Sequence, residues 1–181
     1  GCLESKTCNF STRFYGLSES SYQVEILGSN MKENKYVAAA LSLDDQMGDD
    51  SVMACIWDEK TSKVKVEMYW NVGSKNDSYR NFTTYPLDNP NEGITNVSGR
   101  FVDNQLYCKF VREATTSIVP PGENASNGVN FDLNSIPYHI LLAVGPLTSN
   151  GKVDHHTDKA ASKETYSFSD YNSFLDDTYS G

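Results

Sequence analysis

Residues 36–56, YVAAALSLDDQMGDDSVMACI, contain two apolar runs separated by a short acidic segment. Each run is about seven residues long, which is short for a helix and typical of a strand buried on both faces. Glycine and aspartate are common turn residues, whereas methionine usually fills gaps in cores. The stretch therefore predicts two neighbouring core strands joined by a tight, solvated turn that carries an unexpected thioether, Met47.

Short strand patterns continue on both sides of this stretch. Tyr22, Val24 and Ile26 alternate with polar residues, and KVKVEMYW (63–70) repeats the alternation after a turn-like segment. Further strand-like segments are ITNVSGRFV (94–102), QLYCKFVRE (105–113), VNFDL (129–133), YHILLAVG (138–145) and TYSFS (165–169). Helical periodicity is nearly absent. About eight to ten short strands separated by turn residues predict an all-β chain arranged as a β-sandwich.

A chain of 181 residues is long enough for one domain with a sizeable core. We expect a cysteine-bearing N-terminal segment over residues 1–20 and the sandwich over residues 21–169. The end, DYNSFLDDTYSG (170–181), has no apolar period and is predicted to be a tail or linker.

The cysteine content favours an oxidising compartment. The four cysteines form an even set without the CxxC spacing of zinc or thioredoxin-like sites. Cys55 and Cys108 lie in apolar strands that a sandwich can bring together, whereas Cys2 and Cys8 are close in sequence. We predict these two pairs. Four cysteines allow three pairings, and Cys2 or Cys8 could instead join a partner outside this sequence.

Five N-x-S/T acceptor sites agree with that compartment. They are Asn9, Asn76, Asn81, Asn96 and Asn124. Together with the cysteines, these sites predict a glycoprotein in an extracellular or luminal setting, either secreted or the ectodomain of a membrane protein.

Charge and hydropathy exclude two classes of partner. The net charge is −9 and no Lys/Arg cluster is present to neutralise phosphates, so nucleic acid is not an expected partner. No apolar run approaches the roughly 20 residues that cross a bilayer, so we expect no direct membrane insertion by this chain.

The chemistry-bearing residues are few. No nucleophile elbow, HExxH zinc motif, phosphate-binding glycine loop or EF-hand occurs. Met47 and the distant segment GKVDHHTD (151–158) offer a thioether and an imidazole, the pair that can ligate a low-spin electron-transfer haem from its two sides. The alternative is a tolerated surface methionine and unrelated surface histidines.

The order of several segments resembles the DOMON family as found in ferric-chelate reductase-like and stromal-cell-derived-receptor-like proteins. Residues 36–56 resemble its strand, acidic Met-Gly turn and cysteine-bearing strand. The later segments LYCKFVR (106–112), YHILLAVGP (138–146) and GKVDHHTDKAAS (151–162) follow in family order, and GCLESKTC (1–8) resembles the segment before the domain. The resemblance covers residues 2–169.

This resemblance implies an immunoglobulin-like β-sandwich that, in the cytochrome branch of the family, holds one haem b between a methionine and a histidine. Met47 matches the methionine. Matching the glycine of GK and the threonine that follows assigns the histidine to His156, whereas strand alternation with Val153 favours His155 as the alternative. His139 lies inside an apolar strand and is expected to be packed or solvent-facing rather than bound to iron.

Two protein ligands would leave the iron no open position, so the implied role is electron transfer. The donor would be a transmembrane b-type cytochrome domain or a small reductant, and the acceptor a molecule such as a ferric chelate. Whether the chain is itself enzymatic, as part of a ferric-chelate reductase-like oxidoreductase, stays open. The alternatives are a haem-free sugar- or ligand-binding DOMON module and an adhesive extracellular domain.

Overall fold

A computed structural model describes residues 8–72 and 83–168 of the chain. These residues form twelve β-strands and one short 3-10 turn, Ala125–Asn127. The strands are β1 (Phe10–Ser18), β2 (Ser21–Gly28), β3 (Tyr36–Ser42), β4 (Asp50–Asp58), β5 (Lys63–Val72), β6 (Thr83–Pro86), β7 (Ile94–Val102), β8 (Gln105–Glu113), β9 (Thr115–Ile118), β10 (Val129–Asp132), β11 (His139–Gly145) and β12 (Asp158–Ala161). The prediction of an all-β chain is confirmed.

Two antiparallel sheets form a sandwich. One has four strands in the order β1-β2-β8-β7, and the other has six in the order β12-β11-β3-β4-β5-β6. A two-stranded ribbon, β10-β9, forms a third pairing. The central pair of the larger sheet, β3 and β4, comes from the two apolar runs within residues 36–56. Ala38 lies opposite Ala54 in their register.

Alternation along the strands builds the core between the sheets. Val24 and Ile26 of β2 point inward, as do Cys108 and Phe110 of β8, and all four are fully buried. The larger sheet contributes Val37, Ala39, Leu41, Met53, Val66, Met68 and Trp70 to the same cluster. The period-two patterns of the sequence therefore mark the inner faces, as expected for half-buried strands.

Strand β3 is buried on both faces. Its inner face carries valine, alanine and leucine, and its outer face carries Tyr36, Ala38 and Ala40. These outer residues form a second, smaller apolar cluster with Val52 and Tyr69, packed against Leu147 and Val153. The larger sheet therefore has a covered outer face, which is where the site described below lies.

A disulfide joins the two sheets. It links Cys55 of β4 to Cys108 of β8, with a Cα–Cα distance of 5.8 Å, and this is the pairing expected between strands. Cys8 also takes part in a disulfide. Its predicted partner, Cys2, lies outside the described residues.

Several boundaries differ from the sequence expectations. The sandwich is expected to begin at residue 21, but residues 19–20 form the turn of its first hairpin, because Phe10–Ser18 already pairs with β2. The apolar residues of that segment, Phe10, Phe14, Tyr15 and Leu17, do not alternate regularly with polar ones, so its strand character comes from pairing rather than pattern. Residues 165–168 form no strand and contribute an isolated bridge between Tyr138 and Tyr166, and Ser169 lies outside the described residues.

The glycosylation candidates and the tail can be located in part. Asn9, Asn96 and Asn124 are exposed. Asn76, Asn81 and the predicted tail over residues 170–181 lie outside the described residues. No helix in the part of the chain that the structure describes has the length and hydropathy needed to cross a bilayer.

Removing the inter-sheet disulfide should destabilise the domain. The bond spans 53 residues of sequence, and a loop of this size gives a chain-entropy contribution of about 4 kcal/mol, with measured values of about 2–4. We expect the double variant Cys55→Ala/Cys108→Ala to lose about 2–4 kcal/mol of unfolding free energy in urea titrations. Reducing agent should then affect the variant less than the wild type. A loss below about 1 kcal/mol would contradict the expectation.

Candidate functional site

A cavity of about 1100 Å³ lies on the outer face of the six-stranded sheet. Its lining comes from β3, β4, β5, β6, β11 and β12 and from two loops, residues 43–49 and 146–157. The lining residues are Tyr36, Ala38, Ala40, Asp45, Gln46, Met47, Val52, Asn71, Thr84, Tyr85, Pro86, Leu141, Leu142, Ala143, Thr148, Asn150, Lys152, Val153, Asp154, His155, His156, Lys159, Ala160 and Ala161. The volume is slightly above the range of about 300–1,000 Å³ typical of small-molecule sites.

Small side chains make the floor of the cavity. Ala38 and Ala40 of β3 stand beside Ala143 of β11, and Val52 of β4 extends the same surface. In the antiparallel register Ala38 faces Ala143, so two methyl groups lie side by side. The floor is consequently apolar and free of long side chains at these positions, which leaves room for the face of a large planar molecule.

The loop 43–49, here called the methionine loop, carries Met47 at the cavity wall. Gly48 adopts φ 139° and Asp49 φ 60°, so the chain reverses direction immediately after the methionine. Only glycine adopts the first of these values without strain. The short turn places the thioether at the cavity while Asp44 and Asp45 remain exposed to water.

A buried carboxylate fixes the base of the methionine loop. Asp50 is fully buried, and its Oδ2 accepts hydrogen bonds from the Gly48 amide at 2.8 Å and from Asn71 Nδ2 at 3.0 Å. The Asn71 carbonyl accepts the Asp49 amide at 2.6 Å, and Thr84 donates to Asn71 Oδ1 at 2.7 Å. The loop is thereby attached to β5 and, through Thr84, to β6.

The pKa of Asp50 is raised to about 6 because burial disfavours the ionised form, although the bonds from Gly48 and Asn71 lower it in part. Its Oδ1 has no hydrogen-bond partner. A carboxylate with one unsatisfied oxygen in a buried position opposes folding when it is ionised.

The opposite wall is the loop 146–157, here called the histidine loop. Two tyrosine hydroxyls attach it to the sheet: Tyr36 donates to the Asp154 carbonyl at 3.0 Å, and Tyr69 accepts the Val153 amide at 3.4 Å. Burial is the main cause that raises the pKa of both tyrosines, so both stay protonated. Leu147 and Val153 form an isolated bridge within the loop.

Gly145 allows the histidine loop to pass close to the sheet. A Cβ at this position would lie 2.8 Å from the Tyr36 ring and 2.9 Å from the His156 Cα. Thr157 returns the chain to the sheet by donating its amide to the Val144 carbonyl at 2.8 Å. The backbone of His156 is therefore packed against the end of β11.

The two adjacent histidines differ in burial. His156 is half-buried and His155 is exposed, and both line the cavity. Burial lowers the pKa of His156, with the charges of His155 and Lys159 acting in the same direction. His155 Nδ1 lies 2.8 Å from the His156 carbonyl. A low pKa keeps the His156 imidazole neutral at physiological pH, which is the form that ligates a metal.

His139 is not among the cavity-lining residues. It is the first residue of β11, and its Nδ1 lies 3.1 Å from the carbonyl oxygen of Ser162, which directly follows β12. The remaining methionines, Met31, Met53 and Met68, are fully buried in the core between the sheets.

The site contains supporting residues that sequence reasoning missed. The two loops are positioned by Tyr36, Tyr69 and Asp50, which belong to no recognisable sequence motif. The one signal in the sequence that could have pointed to these residues was the predicted burial of β3 on both faces. A strand with an apolar outer face needs other residues to cover it.

The residues fit a large planar cofactor with a metal at its centre. A thioether and two imidazoles reach one cavity from two separate loops, and the floor is lined by small apolar side chains. Within residues 8–72 and 83–168, no group of three or more His, Cys, Asp or Glu side chains could hold a bare metal ion. A haem brings four of its own ligands to iron and requires only two from the protein, so this donor set suits a haem.

The model of the DOMON domain matches residues 6–145. The chain belongs to the DOMON family. The matched range includes Met47 and ends just before the histidine loop. No solved structure shows significant similarity to the chain.

Curated relatives extend the similarity. The chain is 26% identical over 161 residues to a putative ferric-chelate reductase 1 homolog of Drosophila melanogaster, covering 86% of this chain and 22% of that protein. It is 27% identical over 139 residues to human ferric-chelate reductase 1, covering 77% of this chain and 19% of the relative. It is 27% identical over 158 residues to the human DOMON domain-containing protein FRRS1L, covering 87% of this chain and 47% of that protein. The chain thus spans less than half the length of each of these proteins.

Replacing Asp50 by asparagine should stabilise the domain at neutral pH. The folded-state pKa of about 6 exceeds the ordinary value of 3.8, so this group stabilises the fold fully below about pH 4 and less as pH rises through 6. We expect the free energy of unfolding of Asp50→Asn to exceed that of the wild type by on the order of 1–3 kcal/mol at pH 7 and by little at pH 4.

Thermal unfolding of both proteins from pH 4 to pH 7 measures the effect. Asp45→Asn removes an exposed carboxylate from the same loop and serves as the control. A pH-independent difference in stability between Asp50→Asn and the wild type would show that burial of the charge is not its cause.

Proposed function

We propose that this DOMON domain is an extracellular electron-transfer module that holds one haem b in the cavity, with Met47 and His156 as the axial ligands. The proposal follows from the cavity itself and from the family to which the chain belongs. His155 is the alternative ligand on the histidine loop.

One observation carries the proposal. Met47 and His156 are more than a hundred residues apart in sequence, yet both line the same cavity. A thioether and an imidazole that converge on one cavity with an apolar floor are the ligand pair of cytochromes whose iron is closed to substrate.

Each neighbouring group has a definite part in this arrangement. Asp50 holds the turn that presents Met47, through the Gly48 amide. Tyr36 holds the histidine loop against the sheet. The half-buried position of His156 favours a neutral, ligating imidazole. A haem held in this way supplies reversible one-electron transfer without an open position for oxygen.

Burial explains the choice between the two histidines. His156 has its backbone packed against Gly145, so its position is set by the sheet. His155 is exposed, with its Nδ1 directed to a neighbouring carbonyl. A ligand must be held in one orientation, and the more constrained residue meets that need.

The redox partners belong to the same proposal. Two of the relatives are named ferric-chelate reductases, and the chain covers about a fifth of each. We infer a transmembrane b-type cytochrome domain or a small reductant as donor and a ferric chelate as one acceptor. The net charge of −9 repels anionic chelates, which favours a protein or a neutral acceptor at the rim. Disulfides and exposed sequons fit an extracellular or luminal location.

Met47→Leu should keep the fold but remove the sulfur ligand. Leucine has a similar volume, so the loop should persist, while the iron loses one axial donor. We expect the haem-loaded variant to show a high-spin visible spectrum or a lower reduction potential than the wild type. Met31→Leu, a change of the same kind in the core, should leave the spectrum unchanged. A wild-type protein that takes up no haem would instead support a haem-free ligand-binding module.

The histidine variants distinguish the two candidates. His156→Ala should weaken haem binding by at least about tenfold, equivalent to about 1.4 kcal/mol, because it removes the neutral, positioned imidazole. His155→Ala should retain the low-spin spectrum. Haem titration monitored by absorbance gives both affinity and spin state. Weaker haem binding in His155→Ala but not in His156→Ala would assign the ligand to His155. Unchanged haem binding and an unchanged low-spin spectrum in both variants would defeat the assignment to this loop.

A further inference from the structure

Arg112 is a buried charge that the proposed ligand set does not use. It lies near the end of β8, on the same inward face as Leu106, Cys108 and Phe110, and none of its surface is exposed. Transfer of a charged group into an apolar core is costly unless a counter-charge accompanies it. A positive charge in this position therefore requires an explanation.

No carboxylate in the described part of the chain forms an ion pair with Arg112. Its Nη2 donates to Ser51 Oγ at 3.3 Å, its Nη1 approaches Met53 Sδ at 3.6 Å, and its Nε has no partner. The ion pairs found among residues 8–72 and 83–168 join Lys35 to Glu59 and Lys65 to Glu67.

The charge persists at physiological pH. Burial lowers the pKa of Arg112 to about 10, which still leaves the guanidinium protonated, and the ionisable group that affects it is the Tyr138 phenol. Burial raises the pKa of Tyr138, so that phenol is neutral. Both groups that contact Arg112 directly, a hydroxyl and a thioether, are also uncharged.

The guanidinium lies behind the floor of the cavity. Its two contacts, Ser51 and Met53, flank Val52 in β4. Successive strand residues point to opposite faces, so these two side chains point into the core and Val52 points into the cavity that it lines. The backbone of β4 and short side chains separate the charge from the cavity.

We propose that Arg112 acts as a fixed positive charge beneath the cavity floor and favours the reduced form of the redox group bound there. This inference rests on the proposed function. Reduction adds one electron to the bound group, and an unscreened positive charge nearby stabilises the added electron. Salt does not screen a charge inside the core as it screens surface charges. Arg112 would thus tune the site without touching the cofactor.

Matched substitutions test this proposal on the whole chain loaded with haem b. Arg112→Met removes the charge and keeps a long side chain, whereas Arg112→Lys keeps the charge. Ser51→Asp places a carboxylate against the intact guanidinium, and Ser51→Asn has nearly the same size without the charge. The measurement is the ratio of reduced to oxidised haem at a fixed ambient potential, set by dithionite and redox mediators and read by absorbance.

Arg112→Met and Ser51→Asp should each lower this ratio by roughly tenfold, as expected for a unit charge at about 10 Å in an effective dielectric of about 20. Arg112→Lys and Ser51→Asn should stay near the wild type. The low-spin spectrum should persist in all four, which separates an electrostatic effect from loss of an axial ligand.

The outcomes distinguish this inference from the proposed function. If Arg112→Met fails to fold, the comparison of Ser51→Asp with Ser51→Asn decides. Equal ratios in that pair, with low-spin haem bound, would overturn the role of Arg112 and leave the electron-transfer proposal intact. A wild-type chain that binds no haem would remove both.

Discussion

Burial of β3 on both faces is the constraint on which the rest of the structure depends. Its inner face must meet the four-stranded sheet, and its outer face exposes Ala38 and Ala40 unless something covers them. The histidine loop provides part of that cover, and the tyrosine hydroxyls at positions 36 and 69 attach it. Because alanine side chains are short, a cover that touches the rim does not reach the floor. The space between them is the cavity.

The same central strands separate two electrostatic environments. On the outer side, Asp50 is buried at the base of the methionine loop, with one oxygen bonded and the other without a partner. On the inner side, Arg112 contacts Ser51 and Met53 from within the core. Burial disfavours the charged form of both groups, and the two do not form an ion pair with each other. Buried charges of this kind reduce stability, and proteins commonly retain them where a site requires them.

Much of the fold is readable in the sequence, and part of the site is not. Alternation in β2 and β5 and the continuous apolar run of β3 identify core strands directly. The four-residue strands β6 and β12 carry too little pattern to be recognised, since their strand character comes from pairing with a neighbour. Met47 is conspicuous because a turn rarely contains methionine. By contrast, Asp50, Tyr36 and Arg112 depend on contacts with residues distant in sequence, which no local pattern encodes.

The position of the cavity outside the inter-sheet core has an evolutionary consequence. The residues that hold the sandwich together lie between the sheets, whereas Ala38, Ala40 and Ala143 line a face that the sandwich does not need for its own closure. A larger side chain at one of these alanines would narrow the cavity without entering the core between the sheets. Descendants of one ancestral sandwich can therefore lose or regain the room for a bound group through a few cavity-facing substitutions, so ligand content can diverge faster than architecture.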